Sequence, residues 1–374
     1  MSRYRKASDL TLSQYLRSSP RFHWSGEKGS LGPAVGSNYG PISASLLGKL
    51  LKFSDNSAVM LVQLVTEDGQ KDLVAAKILQ NPLDKERLTN ELKILQSLRH
   101  EHVAAVLGNF SIPDHDDTIP ENLPISDRDD TQYGLLVFPL AVKDLETSLE
   151  SISAHNKAHE KATSGWSPHQ DAHKLLPYFA CLCNTVLFLH KRSRPIKHRD
   201  IKPANILIDR VDNVILADFD ISRTYDDVKA AITYSSKDGT IMYSSKDVWK
   251  PSMQNNPEDS QRGLEWDVVS LGFVFLEMAT VLFGKTLEEM RGLMKKRSEE
   301  GVLRVVYSEA LVDIRKWLDD LGRASSLFLR LTGVEQDYVK KFLRAIEDMT
   351  SSKQHNDESL ERALETFRLL SRHC

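Results

Sequence analysis

"IKHRDIKPANILID", Ile196–Asp209, is followed after a short gap by "ILADFDIS", Ile215–Ser222. The first stretch gathers His198, Arg199, Asp200, Lys202 and Asn205 between branched apolar residues, and the second sets Asp218 and Asp220 on either side of Phe219. The runs "ILI" and "VILA" read as two strands joined by a short hairpin, a rigid frame for the polar side chains. Asp200, Asn205 and Asp218 then form an all-oxygen group of the kind that suits Mg²⁺. Lys202 adds a cation where a phosphoryl group would gain negative charge during transfer. A salt-bridged turn would explain the charges, but not the placement of Asn205 and the apolar frame.

Working outward, the preceding residues are strand-rich. "AVMLVQLVTEDGQKDLVAAKIL" is two β-rich runs around Glu-Asp-Gly, a hairpin signal. "DKERLTNELKILQSLRH" places Leu88, Leu92, Leu95 and Leu98 at helical spacing, and "VAAVLGNF" and "YGLLVFPLA" read as two further strands. The order strand, strand, strand, helix, strand, strand implies a small, mainly antiparallel sheet carrying one helix. Residues 1–41, rich in Ser, Gly and Pro, read as a flexible loop or disordered lead-in. Downstream, Leu175, Phe179, Leu182, Val186 and Leu189 mark a core helix. "VVSLGFVFLEMATVLFG" is apolar nearly all round, and "ESLERALETFRLLSR" is an amphipathic helix expected to close a second, helical lobe.

The chain of 374 residues is 41% hydrophobic and 27% charged, the balance of a globular protein, and it can bury a substantial core. A net charge of -3 gives no argument for nucleic-acid or membrane partners. Apolar runs are expected to fall short of a bilayer span, and "MSRYRKASDLTLS" lacks the apolar core of a secretory signal. A cytoplasmic or nuclear location is the expectation. Cys181 and Cys183 lie in an apolar helical pattern and read as buried thiols. The Asp- and Pro-rich insert 113–132 reads as a solvated loop, with a binding element for a basic partner as the minority reading.

The opening segment closely resembles the catalytic loop of eukaryotic protein kinases, H-R-D-x-K-x-x-N, followed by a D-F-G-like triplet. The resemblance extends over residues 42–372. It implies an α+β, two-lobed protein-kinase fold: an N-lobe at 42–141, mainly antiparallel sheet plus one helix, and a larger helical C-lobe at 142–374. It also implies ATP and Mg²⁺ as cofactors and a protein as substrate. On this resemblance Asp200 is the base for the substrate hydroxyl, and Lys202 contacts the transferred phosphate as in the serine/threonine branch. Asn205 and Asp218 hold the metal. Lys77, in "LVAAK", grips the α and β phosphates with Glu91 as its partner. "LLVFPLAVKDL" is the hinge, with Phe138 as gatekeeper, the backbone from Leu140 through Ala141 to Val142 against adenine, and Asp144 near the ribose. Val59, Ala75 and Leu207 line the adenine slot. Thr240 bonds the Asp200–Lys202 pair, and Asp267 caps the catalytic-loop backbone.

Three departures stand out. The phosphate-covering loop reads "KFSDNSAV", with Lys52, Ser54 and Ser57 at glycine positions; an alignment on Gly48 recovers one glycine but misplaces the valine. Lacking glycine, the loop approaches phosphate less closely. Asp220 replaces the triplet's glycine, and a non-glycine residue resists left-handed backbone by about 1–2 kcal/mol. After Gly239 and Thr240, Ser245, Lys246 and Asp247 stand where Ala-Pro-Glu is expected, with no evident arginine partner for Asp247. Between Asp220 and Thr240, the hydroxyls of Thr224, Tyr225, Thr233, Tyr234, Ser235 and Ser236 could carry a phosphate that pairs with Arg199. The leading expectation is an active serine/threonine kinase. The alternative is a kinase-fold pseudoenzyme acting as a binding or scaffolding protein.

Overall fold

Alternation along the strands decides which side of the sheet each residue serves. The computed structural model describes residues 22–24, 30–32, 42–53, 57–65, 71–79, 85–113, 131–159, 167–225, 240–244, 262–297, 303–351 and 357–371. The chain divides into two compact units: Met1–Val142 with Asp209–Asp220, and Lys143–Ile208 with Ile221–Cys374.

In the first unit the strands are β1 (Phe22–Trp24), β2 (Ser30–Gly32), β3 (Ile42–Phe53), β4 (Ser57–Val65), β5 (Lys71–Leu79), β6 (Ala105–Pro113) and β7 (Thr131–Phe138). Helix α1 (Lys85–Ser97) falls between β5 and β6. On β4, Ala58, Met60 and Val62 are buried while Val59, Leu61 and Gln63 are half-buried; on β5, Val74, Ala76 and Ile78 are buried. This period of two is what a strand with one face in a core requires. β4 and β5 pair antiparallel from Ser57↔Leu79 to Val65↔Lys71, the expected hairpin, with its turn outside the described residues.

From β3 onward the element order is the expected one. The sheet order is β1-β2-β3-β4-β5-β7-β6, closed by a parallel pairing of β1 with β6. The strands β1 and β2 lie within the segment expected to be an irregular lead-in, so that reading fails for these six residues. At three residues each, Phe-His-Trp and Ser-Leu-Gly are too short to establish a period, and backbone pairing supplies the strand. Gly48 sits inside β3, at an irregularity in its register against β4 between Leu46 and Leu50.

On α1 the buried face is Leu88, Glu91, Ile94, Leu95 and Leu98, so a carboxylate lies within an apolar stripe. The segment Val214–Leu216 adds to this unit through a parallel bridge, Val103↔Leu216, with Leu216 N donating to His102 O at 2.8 Å and Ala104 N to Leu216 O at 2.9 Å. Asp209 fixes the hairpin before it: its Oδ1 accepts from Val211 N and Asn213 N, both at 2.9 Å.

The second unit contains α2 (Leu145–His159), α3 (Tyr178–His190), α4 (Arg262–Leu282), α5 (Leu287–Leu293), α6 (Leu311–Arg323), α7 (Ser326–Thr332), α8 (Gln336–Thr350) and α9 (Asp357–Phe367). Phe179 of α3 is its centre, with ring centroids 4.8 Å from Phe275, 5.0 Å from Phe342 and 5.1 Å from Phe367. These four rings from α3, α4, α8 and α9 are fully buried. Along α4 the residues Leu271 and Phe273–Leu276 have no exposed surface, as the all-round apolar sequence implied. Gly272 lets α8 approach: a Cβ there would lie 3.0 Å from the Met349 carbonyl carbon.

By length and composition Ala172–His190 could cross a membrane, contrary to the expectation from sequence, but 72% of that stretch is buried inside the unit. It serves as core. Cys183 is a buried free thiol whose pKa burial raises, whereas Cys181, also buried, is disulfide-bonded, against the thiol expected there.

Candidate active site

In the first unit, β5 and α1 bring a lysine and a glutamate together. The Lys77 Nζ donates to Glu91 Oε2 at 2.8 Å and to Asp218 Oδ1 at 2.6 Å. Burial alone would lower the pKa of Lys77, but Asp218 and Glu91, with Asp220 beyond them, outweigh it and hold the pKa above its ordinary value. Burial pushes the Glu91 carboxyl upward against the pull of Lys77. The second oxygen of Glu91 accepts from Phe219 N at 3.3 Å, and the Phe219 ring is fully buried. One buried carboxylate therefore fixes both the lysine and the Asp-Phe-Asp triplet.

Asp218 has a positive φ of 68°. The left-handed residue of the triplet is thus its first; among the described residues the non-glycine positions with positive φ are Arg199, Asp212 and Asp218, and Asp220 is not one of them. The conformational penalty expected of Asp220 is not incurred. Asn90 Nδ2 donates to the Asp220 carbonyl at 3.5 Å. Val59 pairs directly with Lys77, and Ala75 lies two residues along the same face. Phe138 is buried at the end of β7, paired with Ala105, and Leu140 and Ala141 follow it half-buried.

In the second unit the catalytic-loop residues converge on Asp200. Its Oδ2 accepts from Asn205 Nδ2 at 2.9 Å and lies 2.7 Å from Lys202 Nζ, while its Oδ1 accepts from Thr240 N at 3.0 Å. Lys202 Nζ also donates to Thr240 Oγ1 at 2.7 Å. A short 3-10 turn, Pro203–Asn205, curls the chain so that the Asn205 amide also reaches the Asp200 carbonyl at 3.0 Å. Three residues, the farthest forty positions away, thus fix one carboxylate. Leu207 lies half-buried on the strand Ile206–Asp209. Asp144 caps α2, its Oδ1 accepting from Thr147 N at 2.8 Å.

The loop backbone is held by Asp267, the role that the family resemblance implied for it. The buried carboxylate accepts from His198 N at 2.6 Å and Arg199 N at 2.9 Å, with His190 Nε2 at 3.3 Å. Burial would raise the Asp267 pKa, but the His190 bond and the charges around it outweigh burial and hold it below the usual value. Arg199, at φ 74°, donates from Nη1 to Ile221 O at 3.0 Å.

Sequence reasoning missed a second buried carboxylate, Glu277 of α4. Its Oε1 accepts from Arg291 Nε at 3.0 Å, Arg291 Nη2 at 2.7 Å and Tyr307 Oη at 2.5 Å, and its Oε2 from Tyr243 Oη at 3.0 Å. Tyr243 belongs to the turn that follows Thr240, and Ser270 Oγ donates to its carbonyl at 2.9 Å. The only sequence signal was a lone Glu inside an apolar helix, which has no carboxylate-free explanation in a core.

Several positions singled out from the sequence lie outside the described residues: Ser54, Gly239, Ser245, Lys246, Asp247, Thr233, Tyr234, Ser235, Ser236 and most of the acidic insert. Of the two hydroxyls that are described, Thr224 is exposed on a strand paired to Ile196–Lys197, and burial pushes the Tyr225 phenol up to about 12.

Positions 58–353 match the family model of the protein kinase domain. The serine/threonine-protein kinase CTR1 of Arabidopsis thaliana is 28% identical over 212 residues, 56% of this chain. The mitogen-activated protein kinase 14 of the same plant is 29% identical over 150 residues, 40% of the chain, and the putative serine/threonine-protein kinase A of Trypanosoma brucei brucei is 29% identical over 133 residues, 36% of the chain. The chain's matched parts span 21%, 33% and 28% of the lengths of these three relatives, respectively. With the match covering most of its length, and a lysine–glutamate pair, an Asp-Phe-Asp triplet and a bonded H-R-D-x-K-x-x-N loop in place, this chain belongs to the protein kinase domain family.

Proposed function

We propose that the chain is a serine/threonine protein kinase that transfers the γ-phosphate of ATP to hydroxyl groups of a protein substrate. One observation carries the reading: Asp200 is held by Lys202, Asn205 and Thr240 in a single orientation. A base for a hydroxyl group must be positioned before its basicity matters. In this reading Asp200 takes the hydroxyl proton as the oxygen attacks. Lys202 stays beside it to balance the charge on the transferring phosphoryl group.

Lys77, kept charged by Glu91 and Asp218, grips the α and β phosphates. Val59, Ala75, Phe138, Leu207 and the backbone at Leu140 and Ala141 serve the adenine, with Asp144 toward the ribose. The amide oxygen of Asn205 and the carboxylate of Asp218 are hard oxygen donors, which fit Mg²⁺ with phosphate completing its shell. When bound, the metal supplies charge neutralisation on the β and γ phosphates. Serine residues at the phosphate loop leave a poorer amide cradle, so nucleotide affinity is expected to be low for the family.

The test is Mg²⁺-ATP binding together with phosphate transfer to the chain itself and to a generic protein. The wild type should bind and transfer; Asp200→Asn should bind without transfer, and Asp218→Asn should lose metal-dependent binding. Binding without transfer by the wild type would favour the scaffolding alternative, and no binding would end the enzyme reading.

A further inference from the structure

Lys197, between Ile196 and the His-Arg-Asp triplet, has no part in the chemistry above. It is 2% exposed, and its Nζ sits 3.4 Å from the centroid of the Trp266 ring. Among the described residues its amine makes no hydrogen bond to a carboxylate: Asp267, the nearest acidic group in effect, is committed to His190 and to the backbone of His198 and Arg199. The strand that pairs with it places Arg223 opposite Lys197. The charged and titratable groups around the amine are thus Asp267 and Glu265 on α4, Arg199 on the loop and Arg223 on the paired strand, with His190 at the end of α3 behind Asp267.

An amine in that position is a poor place for a proton. Burial dominates and, with Arg199 and Arg223, outweighs Asp267 and Glu265, bringing Lys197 down to about 7 from an ordinary 10.5. The face of Trp266 returns part of the cost of the ammonium form, since an aromatic ring attracts a cation.

We propose that Lys197 is a positioning residue for the catalytic loop: its amine, buried against Trp266, holds the backbone of residues 196–200 in place. Because burial disfavours the ammonium form, taking up a proton there loosens the loop. The consequence for phosphate transfer rests on the kinase reading; the loosening itself does not. The sign follows from linkage. A locally opened loop exposes Lys197 to water, where it binds a proton at its ordinary pKa, so opening takes up a proton between the two values and acid favours it. With the two values about 7 and 10.5, the closing constant rises about tenfold from pH 6 to pH 8.

The experiment is amide hydrogen exchange on the full chain at pH 6 and pH 8, corrected for intrinsic rates and read on peptides covering residues 196–202. The wild type should gain about tenfold in protection across that interval. Lys197→Met, which cannot take up the proton, should show the high protection at both pH values. Trp266→Leu, which removes the ring that favours the ammonium, should move the transition to lower pH, and it serves if Lys197→Met does not fold. Equal pH dependence in wild type and Lys197→Met, or no movement in Trp266→Leu, would overturn the proposal.

The kinetic arm is the ratio of wild-type to Lys197→Met kcat, which cancels titrations common to both and should rise with pH. A ratio flat from pH 6 to pH 8, with transfer present, counts against positioning. Absence of transfer in every variant, with the exchange pattern as expected, supports the Lys197 contact and refutes the kinase reading.

Discussion

Replacing Asp267 by Asn tests how the catalytic loop is held, because the change is nearly isosteric and removes one acceptor and one charge. In the wild type the carboxylate receives two backbone N–H groups, at 2.6 and 2.9 Å, and faces His190. An Asn side chain keeps one acceptor oxygen and turns an NH₂ toward the other donor. One of the two N–H groups then loses a charge-assisted bond, worth about 1.5–3 kcal/mol, and stays buried without a partner. Arg199, held at φ 74° by this bond, would relax toward ordinary backbone. Together these give a loss of about 2–4 kcal/mol in unfolding free energy.

Urea unfolding of both proteins at several pH values measures it. The sign runs from the lowered carboxyl of Asp267. Its contribution is fully present above the unfolded value near 3.8 and is lost as pH falls through the still lower folded value. The gap between wild type and Asp267→Asn should therefore be constant from pH 8 to pH 5 and narrow below about pH 4. A loop displaced by an ångström would also cost about a hundredfold in kcat. A stability gap below about 0.5 kcal/mol at neutral pH, or one undiminished at pH 3, would refute the argument that this carboxylate holds the loop.

Other perturbations separate other parts of the structure. Lys77→Met leaves Glu91 buried beside Asp218 without its cation and should abolish transfer while destabilising the chain by about 3 kcal/mol; Lys77→Met with Glu91→Leu should regain part of that stability in thermal melts. Gly272→Ala places a methyl 3.0 Å from the Met349 backbone and should cost about 1–3 kcal/mol in urea unfolding, with a cost near zero contradicting the close approach of α4 and α8. Asp220→Gly brings no conformational relief, since Asp220 is not left-handed, and should cost about 0.4–1 kcal/mol through the freer unfolded chain. A gain in stability there would show that Asp220 is strained after all.

The sheet could be read in the sequence where one face is buried and the other is not, as at Ala58, Met60 and Val62 against Val59 and Leu61. Helix α1 could be read from its leucines, and the loop around Asp200 from residues contiguous in the chain. What could not be read depends on distant partners. Strands β1 and β2 are three residues each, too short to show a period, and exist by pairing, one of them in parallel with β6. Glu277, Tyr243, Arg291 and Tyr307 span four separate segments, and only Glu277, a lone carboxylate in an apolar stretch, stands out on its own. Nothing in the sequence around Lys197 marks it as buried; its place on the strand Ile196–Lys197, against Trp266, makes it so. Asp220 misled because the glycine it replaces suggested a backbone requirement that the structure places at Asp218.

The Glu277 cluster gives the turn at Ile241–Tyr243 an unusual economy of motion. A surface turn ordinarily opens by breaking its own few bonds, at little free-energy cost and independently of the core. This one ends in a phenol that donates to a fully buried carboxylate, itself shared with Arg291 and Tyr307. To lift the turn is to leave Oε2 of Glu277 without the phenol while Arg291 and Tyr307 still hold Oε1, so opening costs about 1–3 kcal/mol more than that of a turn with only its own bonds. Thr240, at the head of that turn, is therefore tied through Tyr243 to the interior of α4, and the order of the turn depends on a carboxylate far from its own backbone.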